Sequence, residues 1–354
     1  MLGILKGWSK RNFSDSQAIV LLMLLAGSVL LVMTMGKILA PVIASVVIAY
    51  LLLWVANRLV KLHVPRLVAV FFVYSAFLGL FLVAILFLFP IIWQQLLRLF
   101  QELPTMITGV QQFLYLLPEK FPQFLNKETV DGWVAGFLIQ LKQTGRILFT
   151  VSLASLPSIL ALIIYLILVP LMVFFMLKDP KDLTQWLISF LPPERPLLTK
   201  VWKEMDIQIG NYIRGKFLEV LIVGISTYIV FYFFNMHYAV LLAALVGLSV
   251  LIPYIGVAIV TIPVVFVAFF QWGLGAEFAY CVLTYGIIQA IDGSVLVPIL
   301  FSKAVSLHPL AIIVAVLVFG GWWGFWGVFF AIPLATLVKT VLNAWPSRDV
   351  YRAQ

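Results

Sequence analysis

The sequence predicts an all-α polytopic integral membrane protein with about eight transmembrane helices, two of them long and broken or re-entrant. Three observations predict it. Hydrophobic residues make up 64% of the 354 residues and charged ones only 10%, where soluble domains carry roughly a quarter charged. Apolar runs of membrane-crossing length recur along the chain. Two of them, Tyr238–Phe270 and Pro309–Val341, are too long for one upright crossing. A straight helix over the first would be ~48 Å long, against a hydrocarbon layer of ~30 Å.

In order, residues 1–92 read as a three-helix membrane segment, with spans at Ala18–Met35, Ile38–Val55 and Leu67–Ile92. Only Gly36 and Lys37 separate the first two, which predicts a tight turn. The third is expected to close at Pro90 and Trp93, where an interfacial tryptophan belongs. Residues 93–150 read as an amphipathic extracytoplasmic segment. Leu96, Leu97, Phe100, Leu103, Ile107, Val110, Leu114 and Leu117 recur at helical spacing, and Pro104, Pro118 and Pro122 punctuate them. Residues 151–177 form the fourth membrane helix, 178–216 a cytoplasmic helical segment, 217–342 a C-terminal membrane core with broken helices, and 343–354 a cytoplasmic tail.

The core carries the candidate break points. Pro253 removes a backbone donor and clashes with the preceding turn, and Gly256 loosens the backbone three residues later. Pro263, Pro298 and Pro333 are further expected elements of broken helices. Irregular backbone at membrane depth is tolerated only inside protein or beside a hydrated cavity, which is how many transporters build their sites. A short echo, Gly247 to Pro253 and Gly327 to Pro333, shares G-x5-P ending in Ile-Pro.

With the N-terminus in the cytoplasm and eight crossings, sixteen of the 23 Lys and Arg fall inside and seven outside. That bias places both termini in the cytoplasm and explains the net charge of +9 without nucleic acid. If both long runs are re-entrant hairpins, the C-terminus stays inside and Lys303 moves to the cytoplasmic side.

Three His and one Cys exclude a disulfide framework and argue against a metal site. No H-E-x-x-H, Walker A, G-x-S-x-G or Cys pair occurs, so neither an enzyme nor a cofactor is expected, and transport would run on an ion gradient or passively. Candidate pathway residues are Asp292, with Gln289 one turn earlier, Glu219 and Arg214. A carboxylate at the centre of a membrane helix costs ~3 kcal/mol and usually faces a polar route. Asp292 reads equally as a helix-end cap. Glu219 reads more simply as the partner of Lys216, three residues before it, and Arg214 as a lipid-phosphate anchor.

Five stretches in this order resemble the autoinducer-2 exporter family of bacterial inner-membrane proteins over nearly the whole chain: P-L-M-V-F-F-M-L-K-D (170–179), N-Y-I-R-G-K (211–216), L-I-P-Y-I-G (251–256), V-P-I-L-F-S-K-A-V-S-L-H-P-L (297–310) and Gly320–Lys339. The chain has Val257 where many relatives have Pro, and Asp292 where Glu is common. The resemblance implies about eight membrane helices, movement of small solutes and a homo-oligomer. Some relatives are described as exporters of a small signalling molecule, others as sodium/proton antiporters.

The leading expectation is therefore a secondary transporter, or permease, in the bacterial inner membrane. It would move a small polar solute, with H⁺ or Na⁺ as coupling ion and membrane lipids as surroundings. The alternatives are a Na⁺(Li⁺)/H⁺ antiporter using Asp292 and Glu219, and a non-transporting membrane scaffold docking through residues 93–150.

Overall fold

A computed structural model describes residues 16–120, 131–132, 135–136, 156–193, 195–301 and 307–344. Lys303, Pro122, most of 121–155 and nearly all of the expected tail lie outside those residues. Among the described residues the structure is helical without strands. Among the described residues, six helical stretches, two of them in the first long helix, are long and apolar enough to cross a membrane, or seven with a bent pair, beside three shorter apolar helices. Large apolar side chains cover the outside, among them Leu67, Phe71, Leu80 and Ile262, as lipid contact allows.

Helix α1 (Ser16–Lys61) is continuous for 46 residues, so the expected tight turn at Gly36–Lys37 does not form. It bends instead. Leu21 shares a cluster with Val201 and Met205, while the Tyr50 hydroxyl reaches the Asp206 carboxylate. A straight helix would set Leu21 and Tyr50 ~44 Å apart, far more than the neighbouring positions 201–206 can span. Pro41 lies inside the helix, and a proline within a helix is a standard cause of a kink. Both ends of α1 therefore reach one side: Gln17 accepts a hydrogen bond from the Leu197 amide, and Ala56 packs with Leu177.

Helix α2 (Arg66–Val83), a π-helical turn (Ala84–Leu88) and α3 (Phe89–Lys120) run on from one another. The third span accordingly does not close at Pro90. A proline ring clashes with the carbonyl four residues back, and the wider π turn just before Pro90 accommodates it without a break. Pro104 and Pro118 also lie within α3. The face of α3 turned to the rest of the protein is Leu96, Leu99, Leu103 and Met106; Leu97 and Phe100 are exposed. Helix α4 (Leu156–Lys178) packs on α1 and α2, then turns by 88° into α5 (Pro180–Ser189).

The remainder is organised around α6 (Pro196–Phe233). Helices α7 (Ala239–Ser249) and α8 (Ile255–Trp272) form a hairpin on it. Gln271, at the end of α8, bonds back to the His237 amide and the Asn235 carbonyl, at the entrance to α7. The long run Tyr238–Phe270 therefore doubles back. Helix α9 (Ala276–Ile291), a second π turn (Asp292–Leu296) and α10 (Val297–Phe301) return along α6. The last run forms α11 (Pro309–Trp323), α12 (Phe325–Phe329) and α13 (Ala331–Ala344), with α13 packed on α11 and α6. His308 caps α11 by accepting the Leu310 amide. Both long runs are reversals.

The prolines sort accordingly. Pro253 lies in the first reversal. Pro263 is inside α8, which continues through it. Pro298 follows a π turn and does not break its helix, repeating the Pro90 arrangement. Pro333 sits in the first turn of α13, where the backbone N–H has no intrahelical partner to lose. These three are not break points.

Candidate functional site

Between Tyr212 and Phe231, α6 has two chemical faces. Tyr212, Lys216, Glu219, Val223, Thr227 and Phe231 recur at spacings of three and four and are all buried, while Phe217, Leu218, Leu221, Ile222 and Ile225 are exposed to the lipid side. Polar groups on a membrane helix turn inward because hydrocarbon offers them no partner. Here the inward face meets both reversals.

The first reversal, between α7 and α8, is held by backbone geometry. Tyr254 has φ +62° and ψ −50°, and the Ile255 amide donates to the Pro253 carbonyl at 2.7 Å. That is a γ-turn of the rare, strained hand. Gly256 presses on the end of α7: a Cβ there would lie 1.8 Å from the Ser249 carbonyl oxygen. The second reversal uses the same device, since a Cβ on Gly327 would lie 1.8 Å from the Phe319 carbonyl oxygen. Gly247, the partner of Gly327 in the sequence echo, does something else. It lets α7 cross α6 at Gly224, where a Cβ would come within 3.0 Å of Cα. In the Gly320–Gly327 cluster, Gly320 abuts Val328 while Gly321 has open space.

Helix ends leave carbonyls without intrahelical partners. At both reversals α6 supplies a donor. The Lys216 ammonium donates to the Val250 carbonyl at 2.7 Å. Four residues earlier, the Tyr212 hydroxyl donates to the Phe329 carbonyl at 2.6 Å. Lys216 also pairs with Glu219 Oε2 at 2.8 Å and lies 5.2 Å from the centre of the Phe301 ring. Asp292, at the start of the second π turn, interacts electrostatically with Lys216 and Glu219. Lys216, Glu219 and Asp292 are only 5%, 2% and 6% exposed.

The cluster therefore joins two carboxylates to one ammonium. Fully ionised, it carries one negative charge that nothing in the cluster balances, and an unbalanced buried charge is costly. One proton or one monovalent cation would balance it. Asp292 Oδ1 and both amide atoms of Gln289 are buried without hydrogen-bond partners. Buried polar atoms in that condition mark places where water or a ligand belongs.

Asp292, Gln289 and Glu219 thus converge on this region. Arg214 does not, being two residues off the buried face. Its guanidinium donates to Asn211 Oδ1 at 2.7 Å and lies 6.0 Å from the Trp54 ring. The local Lys216–Glu219 pair is present, but it is the centre of a cluster rather than an isolated surface pair. Sequence reasoning missed Lys216 and Tyr212 as tethers. The i, i+4, i+7 pattern of Tyr212, Lys216 and Glu219 was the available signal. A surface cavity of about 430 Å³ lies elsewhere, beside Gln17, Arg195 and Thr199, and the charge cluster is closed in this conformation.

Helices that reverse inside a membrane, held to a central helix beside buried charge, define a transporter-type polytopic membrane protein. Comparison with known proteins gives the family. Residues 18–347 match the AI-2E family transporters, and the chain belongs to that family of membrane transport proteins. It is 47% identical over 350 residues, 99% of each chain, to the candidate permease PerM of Escherichia coli (strain K12). It is 29% identical over 304 residues to the candidate transport protein YueF of Bacillus subtilis (strain 168), covering 82% of this chain and 81% of the relative. YrrI of the same organism, also named as a candidate transport protein, is 26% identical over 320 residues, 85% of each chain.

Proposed function

We propose that the protein is a secondary transporter of a small polar solute in the bacterial inner membrane, and that Asp292, Glu219, Lys216 and Gln289 form its working site. The observation that carries this reading is the buried charge cluster tied to the tip of a helix reversal. Lys216 holds the Val250 carbonyl and faces two carboxylates, so any change in cluster charge alters the tether. That links occupancy of the site to the position of the α7/α8 hairpin, which alternating access needs. The uncompensated negative charge favours H⁺ or Na⁺ as the coupling ion.

Both termini are cytoplasmic in this reading. Leu21 near the start of α1 and Val341 near the end of α13 share a cluster with Val201 and Met205, beside the lysine- and arginine-bearing 178–216 segment. A Lys303→Cys variant should react with a membrane-impermeant maleimide from the cytoplasmic face only; labelling from outside would reject this topology.

Asp292→Asn keeps the shape of the side chain and removes its charge. Solutes inside and outside cells producing the wild-type chain are compared with those of cells producing the variant at equal membrane level. The wild type should shift at least one small polar solute, and the variant should lose that shift. Equal shifts in both would remove Asp292 from the transport site.

A further inference from the structure

Helix α5 takes no part in the proposed site, and its surface is unusual. Every residue from Lys181 to Phe190 is exposed. Leu183, Trp186, Leu187 and Phe190 nevertheless follow the i, i+3, i+4, i+7 pattern, which gathers them into one apolar stripe, with Lys181 and Gln185 on the opposite face. Their exposures are 39%, 61%, 59% and 71%. The Trp186 and Phe190 rings meet edge to face with centres 5.2 Å apart. Large apolar side chains gathered on one open face mark a surface that something else covers.

The position of α5 says what covers it. Helix α4 has 23 residues, ~34 Å of helix, which crosses a hydrocarbon layer of ~30 Å unaided. Helix α5 turns off its end by 88°, so it runs close to the membrane plane rather than through it. The depth of that turn follows from α1. The Ser45 hydroxyl reaches the Val169 carbonyl at 3.4 Å, and Ala56 and Leu59 group with Leu177. The second half of α1 and α4 therefore run parallel, and α4 ends level with Trp54 and Arg58. The exposed Trp54 ring has the Arg58 and Arg214 guanidiniums 5.3 Å and 6.0 Å from its centre. Indole and arginine at one level mark a membrane–water boundary. Leu171 and Phe175, exposed on α4, carry its lipid-facing surface down to the root of α5. Beyond α5, Arg195 donates to the Leu191 and Pro192 carbonyls at 3.4 Å and 2.9 Å, which fixes the turn into α6.

We propose that α5 is an interfacial helix, seated in the headgroup–acyl boundary of the leaflet where α4 ends, with its apolar stripe among lipid chains and Lys181 and Gln185 toward water. That leaflet is the cytoplasmic one in the topology given above. A lipid surface fits the stripe better than a second copy of the chain does. A face ~15 Å long and ~10 Å wide offers ~150 Å², against ~800 Å² per partner in a stable protein interface. A bilayer sets no such minimum, and the stripe continues a surface that lipid already covers. Lys181 then lies beside lipid phosphates, the charge complement of an interfacial helix. Because the α5–α6 turn is fixed, this anchor holds the start of α6, which carries Tyr212 and Lys216, at constant depth.

The test needs no knowledge of the solute. Cys281 is the chain's single cysteine. In a Cys281→Ala background, Trp186→Cys, Leu187→Cys, Lys181→Cys and Gln185→Cys are each labelled with a nitroxide, and the full chain is reconstituted into phosphatidylethanolamine–phosphatidylglycerol vesicles. Oxygen partitions into hydrocarbon and a nickel chelate stays in water. Oxygen should relax the spins at positions 186 and 187 severalfold more than the chelate does, and the order should reverse at 181 and 185. Should Trp186→Cys fold poorly by gel filtration, Leu183→Cys and Phe190→Cys read the same face.

Chelate access equal on both faces shows a stripe in water and overturns the proposal. Low access of both reagents at the stripe shows that protein covers it and also overturns the proposal; spin–spin broadening that unlabelled chain removes would identify that protein as a second copy. The readout involves no transport, so the interfacial helix and the transport site succeed or fail separately.

Discussion

At the α7/α8 reversal, Gly256 lies against the Ser249 carbonyl and an ammonium takes the Val250 carbonyl. At the α11–α13 reversal, Gly327 lies against the Phe319 carbonyl and a phenol takes the Phe329 carbonyl. The turns share one solution to backbone crowding. The tethers differ in kind. The Tyr212 ring packs between Phe301 and Phe329, 5.8 Å from each, and its tether is neutral. Lys216 is shared between the Val250 carbonyl and the Glu219 carboxylate, with Asp292 within its electrostatic reach, so its hold on Val250 depends on local charge. Under the proposed function the first hairpin carries a charge-dependent latch and is the one expected to move, while the second carries a neutral, fixed one.

The largest effects should come from what the reversals share. Gly256→Ala and Gly327→Ala each place a methyl on a backbone oxygen, where no rotamer change relieves the overlap. Overpacking commonly costs ~1–3 kcal/mol, and displacing a turn inside the membrane should exceed that. Both variants should yield little folded protein by fluorescence-detected gel filtration in detergent. Gly321→Ala, with open space around it, should match wild type. If only one of the two alanine variants fails, the reversals are not structural equivalents.

Next in size is the adjustable latch. Lys216→Met strands two buried carboxylates, and removing one partner of a buried pair costs ~3–5 kcal/mol. The thermal midpoint in detergent should drop sharply. Adding Glu219→Gln to Lys216→Met should recover part of the loss, because one of the two stranded charges goes with it. No recovery would mean that the Val250 tether, rather than the charge balance, dominates. In that case the distinction between the two latches collapses.

How far these features could be read from the sequence follows from the range of each interaction. Apolar run length exposed the reversals, and L-I-P-Y-I-G located one of them, because backbone chemistry there is local. Pro90, Pro263, Pro298 and Pro333 misled for a related reason. At Pro90 and Pro298 a π turn just upstream absorbs the ring, and Pro333 sits in a first turn, neither of which composition reveals; the helix continues through Pro263 without either device. Glu219 and Asp292 were visible as charges in apolar surroundings. Their meeting was not, since 72 residues of intervening chain, including the strained turn at Tyr254, bring α9 back to α6. The tethering roles of Lys216 and Tyr212 escaped notice because the groups they hold are backbone carbonyls, which leave no mark in side-chain pattern.

The smallest expected effect tests the fixed latch. Tyr212→Phe removes one hydroxyl and keeps the ring between Phe301 and Phe329. A single hydrogen bond contributes ~0.5–1.5 kcal/mol net, with a further cost for the Phe329 carbonyl left unpaired. The ring packing is untouched, so the thermal midpoint should fall by much less than in Lys216→Met. The midpoint of Tyr212→Phe should also follow that of wild type in parallel as pH varies, because the lost group is neutral. Lys216→Met should not run parallel, since its stranded carboxylates respond to pH. If Tyr212→Phe instead diverges from wild type with pH, Tyr212 is coupled to the charge cluster. The second hairpin would then be adjustable as well, and the two reversals would move as one.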